Sequence, residues 1–272
     1  MSARNNQANK AAARERLRIE RERQAKRDRT RRQLIVAASI VGVLAIAGGV
    51  GYGVMQANKP SQWEAAKNEK QITAPANTTG KNGTTLVIGK KDAKKTLELY
   101  EDSRCPVCAT FEQANGETIK KDVDAGKYKL RYVGAAFIDR TIPGEGSRNA
   151  LSALGAALDV SPEAFLEYKG ALYAQKNHPA EQDDKFAKDD YLLKVADEVD
   201  ALKGNKEFQK DVQDGTFDAW ALKMADTFQK SGVKGTPALK MDGKTLTGSG
   251  GEGSPPMTPE EFKTAIDKAL KG

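Results

Sequence analysis

Apolar and polar residues are arranged in three different ways along the 272-residue chain. Residues 1–33 hold almost no large apolar side chain, and Leu17 and Ile19 are too few to form a core. Leu34 to Val54 (LIVAASIVGVLAIAGGVGYGV) then runs for 21 residues without a charge. A helix of that length spans about 30 Å, the thickness of a bilayer core, so a transmembrane helix is predicted over 34–55. Residues 56–83 are polar and contain Lys59-Pro60, Ala74-Pro75 and Asn77-Thr78-Thr79-Gly80. Such turn-forming residues predict a linker, in which Trp63 marks a short interfacial helix at the membrane surface.

From Thr84 the pattern becomes that of a folded domain, predicted over 84–272. TTLVI (84–88) and TLELY (96–100) are short β-branched and apolar runs that predict two strands. Val107, Thr110-Phe111 and Ile119 predict a helix ending near Gly126, and YKLRYV (128–133) a third strand. Strand, helix, strand in this order is a βαβ unit, with a parallel pair joined by a right-handed crossover. Residues 146–230 then carry apolar positions at helical spacing, among them Leu151, Leu154 and Leu158, Phe165, Tyr168 and Leu172, and Phe217, Trp220, Met224 and Phe228. They predict a helical subdomain of four or five helices inserted after the third strand. PALKM (237–241) and KTLT (244–247) flank Asp242-Gly243, a hairpin signal. Thr258-Pro259-Glu260-Glu261 opens a last helix with a capping box. The glycine-rich stretch 248–256 lacks the Gly-Lys-Ser/Thr ending of a phosphate loop and is taken as a connector.

Charge changes this picture in one respect. The net charge of +7 suggests a nucleic-acid binder until it is divided along the chain. Residues 1–33 hold 12 Lys/Arg against 4 Asp/Glu, leaving 32 basic and 33 acidic residues in the remainder. The domain is therefore nearly neutral and has no excess charge for a phosphate backbone. Arg29, Arg31 and Arg32 precede the apolar run and Lys59 follows it. This asymmetry predicts a single-pass cell-membrane protein with a cytoplasmic N-terminus and an extracytoplasmic C-terminal domain. The alternatives are cleavage at Ala45-Ile46-Ala47 or a twin-arginine signal at Thr30-Arg31-Arg32-Gln33-Leu34.

The candidate chemistry lies in Cys105-Pro106-Val107-Cys108, the only two cysteines of the chain. At this spacing two thiols close a disulfide across one helical turn or supply half of a metal site. A tetrahedral zinc site needs four ligands, and two Cys with the single His178 are too few, so no metal is expected. A purely structural bridge would close a very small loop and stabilise little. Redox use fits a segment predicted to face an oxidising compartment.

The order of elements, residues 97–108 (LELYEDSRCPVC) with Phe111-Glu112 after them, and Gly232-Val233-Lys234-Gly235-Thr236-Pro237 before the hairpin resemble one family. They are similar to the DsbA-like thiol-disulfide oxidoreductases, which have a thioredoxin fold with a helical insertion, and to their membrane-anchored actinobacterial relatives. The resemblance implies an α/β thioredoxin-like fold over 84–272. It implies thiol-disulfide exchange with secreted or membrane proteins through Cys105 and Cys108, in the oxidase direction, recycled by a membrane redox partner and with no further cofactor. A disulfide reductase or thiol-maintenance protein, and a non-catalytic peptide-binding module, are the alternatives. Cys105, exposed at a helix N-terminus, is the expected nucleophile, because the N–H groups and dipole there favour thiolate. Cys108, one turn in, is the expected resolving thiol. Pro106 stiffens the first turn.

The resemblance also implies a cis bond before Pro237, with Thr236 pairing its backbone with an extended client. Val107 stands where the strong oxidants of the family carry His, so a less oxidising pair is expected, below about −120 mV. Arg104 is expected to favour the thiolate, and Glu101 and Asp102 to oppose it. The family's buried carboxylate position, six before the first cysteine, is Leu99. Glu98 is expected to be a surface or ion-paired residue, and His178 a surface residue.

Overall fold

The computed structural model describes residues 61–251 and 253–271. The basic tail at 1–33 and the membrane helix expected at 34–55 lie outside the described residues. Among the described residues no helix is long and apolar enough to cross a membrane.

In chain order the elements are α1 (Gln62–Asn68), β1 (Leu86–Ile88), β2 (Thr96–Asp102), α2 (Pro106–Ala125), β3 (Lys129–Ala135), α3 (Ile138–Thr141), α4 (Gly146–Val160), α5 (Pro162–Tyr173), α6 (Asp189–Ala196), α7 (Lys206–Asp214), α8 (Asp218–Lys230), β4 (Ala238–Met241), β5 (Lys244–Thr245) and α9 (Pro259–Lys271). The five strands form one sheet in the order β1-β3-β2-β4-β5. β2 and β3 are parallel, as the intervening α2 requires, and the other pairs are antiparallel.

Both central strands start half-covered and end in four consecutive buried residues. Helices cover both faces of the sheet at that end, so the carboxyl ends of β2 and β3 are the dry part of the molecule. The active-site residues follow directly from there. α2 runs 20 residues between a Pro at its first position and Gly126, whose left-handed φ of 78° lets its N–H reach the carbonyls of Asp122 and Val123. α5 is capped by Ser161, whose Oγ accepts from the Ala164 N–H at 3.0 Å. The turn at Asp242-Gly243 places both residues at positive φ, 49° and 81°, the geometry of a two-residue hairpin.

Two boundaries differ from expectation. Five helices lie within 146–230 among the described residues, the upper of the expected numbers, but the helical stretch begins earlier, with the extra helix α3 at Ile138. α3 is one turn long, too short to carry a periodic signal. The second correction concerns the predicted linker. Residues 61–83 are part of the fold: α1 is capped by Ser61 and buries Trp63. The Arg148 guanidinium lies 4.9 Å from the Trp63 ring centre, and the Gln62 amide donates to Asp218 at 2.6 Å. Further along, the Trp220 indole N–H donates to the Gly83 carbonyl at 2.8 Å. The segment has no apolar periodicity of its own, so only partners far along the chain fix it. Trp63→Ala is expected to lower stability by about 3 kcal/mol through the cavity left behind. In urea unfolding this is a lower midpoint at unchanged slope, and an unchanged midpoint would place Trp63 outside the core.

Candidate active site

Cys105 is the N-cap of α2, with φ −74° and ψ 115°. From that position its sulfur accepts from the Cys108 N–H at 3.4 Å. Pro106 at the first helical position has no N–H to leave unpaired. The Cys105 thiol reaches across to the Thr236 carbonyl at 3.5 Å, and the Thr236–Pro237 bond is cis. The residues expected to bind a client therefore meet the cysteines across 131 positions of sequence. Both cysteines are thiols in this structure.

The expected exposure of Cys105 needs correction. It is 6% exposed and Cys108 is fully buried, while Val107 between them is 49% exposed. What separates the two thiols is their electrostatics. The Cys105 pKa is lowered to about 6, first by the Cys108 thiol directed at it, then by the Cys108 and Val107 N–H groups and Thr236, with burial working against. The Cys108 pKa is raised well above the ordinary thiol range, first by burial, then by its bond to Cys105 and the charge of Glu101. One sulfur is poised as thiolate at neutral pH and the other is held as thiol.

Arg104 takes a different place from the one expected. Its side chain is buried, and its guanidinium lies 2.9 Å from Asp139 and 3.4 Å from Asp184. It also donates to the carbonyls of Glu181 at 2.8 Å and Ile142 at 3.2 Å. Its charge is matched by these carboxylates and does not figure among the main causes of the Cys105 shift. Arg104 instead ties α3 and the loop at 174–188 to the start of the active-site turn. His178 belongs to the same loop and is not a surface residue: half-buried, it stacks on Tyr173 and its Nε2 lies 3.0 Å from the Ser103 carbonyl. Burial lowers its pKa. Asp102 completes this support. Its carboxylate accepts from the Ser147 hydroxyl at 2.5 Å and from the N–H groups of Arg104 and Ile138, and burial pushes its pKa up to about 6 despite those bonds.

Glu98 pairs with Arg131 at 3.2 Å and accepts from the Tyr100 hydroxyl at 2.7 Å, in keeping with an ion-paired residue. Leu99 is in the core. A buried carboxylate is nevertheless present, two residues later. Glu101 has no exposed surface, and the Lys169 ammonium lies 3.2 Å from it and also bonds Glu112. Burial, partly offset by Lys169, pushes the Glu101 pKa up to about 8. Burial presses Lys169 downward, but the two carboxylates outweigh it and its pKa is raised. An open cleft of about 630 Å³ between α2 and α5 is lined by Glu112 and Lys169, and Glu101 does not line it.

Lys169 is a site residue that no motif in the chain singles out. The signal for it was present: Lys169 falls on the same helical face as Phe165 and Leu172, and a charge on an apolar stripe needs a buried partner. Among the described residues no group of three or more His, Cys, Asp or Glu side chains is placed to hold a metal ion.

Comparison with known proteins agrees with this architecture. The family model described as Thioredoxin matches residues 81–268. The chain is 27% identical over 187 residues to disulfide bond formation protein D of Bacillus subtilis, covering 68% of this chain and 77% of that protein. Oxidised DsbA of Mycobacterium tuberculosis superimposes with a TM-score of 0.57 at 23% identity, covering 69% of this chain and 93% of that one. MdbA, a thiol-disulfide oxidoreductase from Actinomyces oris, gives a TM-score of 0.57 at 18% identity over 77% of this chain and 96% of its own. A single family model spans the sheet, the cysteine helix, the helical insertion and the cis-proline turn, and the chain accordingly belongs to the thioredoxin family as a DsbA-like thiol-disulfide oxidoreductase.

Proposed function

We propose that this enzyme works as an oxidase of secreted or membrane proteins, with Cys105 as the attacking and attacked sulfur and Cys108 as its resolving partner. The observation that carries the reading is the opposite displacement of the two thiols, Cys105 down to about 6 and Cys108 well up. A client thiolate attacks Cys105 of the enzyme disulfide. Cys108 leaves as thiolate and takes up a proton, and a Cys105–client disulfide forms. A second client thiolate attacks the client sulfur, a client disulfide closes, and Cys105 leaves as the stabilised thiolate. Two electrons pass from client to enzyme, and a membrane redox partner removes them. Thr236 and Pro237 face Cys105 and offer the backbone on which an extended client pairs. The domain acts outside the cytoplasm, anchored by the segment at 34–55. The name of the Bacillus relative, disulfide bond formation protein D, supports the oxidising direction.

The redox state of the pair in cells tests this directly. Thiol trapping is expected to find it mostly oxidised, and a mostly reduced pair would make the enzyme a reductase. Protease added to intact cells should reach the region after residue 56, and protection there would overturn the orientation.

The reduction potential has an expected range as well. A stabilised thiolate favours the reduced enzyme and so makes it a stronger oxidant. A Cys105 pKa of about 6 lies between the values of about 7 for thioredoxin and about 3.5 for a strong oxidant. The potential should therefore fall between about −270 and about −120 mV, measured by equilibration with glutathione. A value at or above the upper limit would show that Val107 does not weaken the oxidant.

A further inference from the structure

Cys108 has to leave the disulfide as a thiolate in a site that disfavours charge, and three elements place polar groups around it. From α2 come Cys108 and, one turn on, Glu112. From α5 come Lys169 and, one turn on, Tyr173. From the sheet come Glu101 of β2 and Tyr132 of β3. Tyr132 pairs in register with Leu99, two residues before Glu101, so Tyr132 and Glu101 share a face of the sheet as diagonal neighbours. Tyr173 packs in one cluster with Cys105, Cys108, Ala109 and Ile138, and the Lys169 ammonium lies 5.5 Å from the centre of its ring.

The hydroxyls of Tyr132 and Tyr173 are buried and have no hydrogen-bond partner in the protein, and neither has the Oε1 of Glu101. A buried phenol without a partner is costly and calls for an explanation. Elsewhere in the domain buried phenols are satisfied: Tyr128 donates to Asp122 and Tyr168 to the Leu192 carbonyl.

We propose that the Tyr173 hydroxyl, with that of Tyr132 behind it, donates a hydrogen bond to the Cys108 sulfur as negative charge develops there on disulfide opening. This rests on the exchange mechanism above. A donor that meets charge as it develops in a low-dielectric site lowers the barrier, and these two hydroxyls have no other protein partner to give up. Burial, followed by the charges of Glu101 and Cys108, raises the pKa of both phenols well above their ordinary value. They therefore remain protonated throughout and act as donors, not as proton sources. The donor set is matched to the leaving sulfur, which leaves the Cys105 thiolate to its own N–H groups.

The test is the rate at which dithiothreitol opens the oxidised enzyme, followed by quenching and thiol alkylation. Tyr173→Phe should slow opening about tenfold or more, and Tyr132→Phe by a smaller factor. The pH profile of Cys108 alkylation in a Cys105→Ser background should move to higher pH when Tyr173 is Phe. Beside the Glu101, Glu112, Lys169 and Asp102 charges, which are unchanged, only the phenol differs. Tyr128→Phe, at a satisfied phenol distant in sequence from the cysteines, should leave the rate at the wild-type value. Wild-type rates and an unshifted alkylation profile in Tyr173→Phe would overturn the proposal. A wild-type enzyme whose disulfide dithiothreitol does not open would instead overturn the exchange mechanism. If Tyr173→Phe does not fold, 3-fluorotyrosine at position 173 keeps the ring and makes a stronger donor. Faster opening is then expected, and an unchanged rate overturns the role.

Discussion

Replacing Cys108 by serine should leave Cys105 joined to its clients as mixed disulfides that persist on non-reducing gels. Cys105 keeps its position as N-cap and its N–H partners from Val107 and the residue-108 backbone, so it still attacks a client disulfide. That attack is the reverse of the oxidising step, and the Cys108 sulfur that would displace the client by re-forming the Cys105–Cys108 disulfide is gone. Adducts should therefore accumulate in cells, while Cys105→Ser should form none and lose exchange entirely. The variant also loses the Cys108 thiol that is the largest cause of the low Cys105 pKa. Its Cys105 alkylation profile is accordingly expected to move to higher pH. Adducts that fail to accumulate in Cys108→Ser, with the protein folded, would favour a binding module with a static cysteine pair.

Lys169→Met should be among the most damaging substitutions in the domain. It removes the cation that bonds both Glu101 and Glu112 and leaves this buried acidic pair without its counter-charge partner. Breaking one partner of a buried ion pair costs about 3–5 kcal/mol, to be read as a lower urea midpoint. Glu101→Gln is a milder change with a distinct pH signature. The folded-state pKa of Glu101, about 8, lies above its ordinary value of 4.5. Between those values the folded protein binds a proton that the unfolded chain has lost, so this group makes stability fall as pH rises toward 8. Asp102, raised to about 6, acts in the same direction over the lower part of that range. The raised Lys169 contributes stability that is lost only when its own, higher pKa is passed, so it does not cancel the slope. Cys105, lowered to about 6, acts in the opposite direction above pH 6 in the reduced enzyme, so the Glu101 contribution is read as a difference. Glu101→Gln cannot ionise, and its stability should rise more steeply, or fall less, than the wild type between about pH 6 and 8. An unchanged slope in that variant would assign the pH dependence elsewhere.

Parts of this site were legible because their chemistry is local. The Cys-Pro-Val-Cys stretch after an apolar run places one sulfur at a helix start and the other one turn in, whatever surrounds them. The capping box at Thr258, the hairpin at Asp242-Gly243 and the parallel β2–α2–β3 unit follow likewise from short-range rules of turn and helix geometry. Arg104 shows where such reasoning ends. Adjacent to Cys105 in sequence, it was expected to act on the thiolate, but its side chain pairs with Asp139 and Asp184, 35 and 80 positions away. Side-chain direction, and not proximity along the chain, decides which charge a group meets.

The N-terminal flank shows the same limit. Residues 61–83 carry turn chemistry and little apolar content, and by themselves they predict no order. Their helix exists because Trp63 finds Arg148 and the 62 amide finds Asp218.

By itself the sequence determined the βαβ order of elements, two cysteines at the start of a helix and the absence of a charge excess in the domain. Each depends on residue type and spacing within one or two turns of chain, whereas the thioredoxin-like fold and the Thr236-Pro237 turn were implied by the family resemblance. The tertiary structure alone decided that Cys105 is nearly covered, that a buried carboxyl stands at Glu101 beside Lys169 and Glu112, and that Tyr173 packs in one cluster with Cys108. Those depend on groups from the sheet and two helices being brought together by the fold, because burial and neighbouring groups from distant parts of the chain then set how each one ionises.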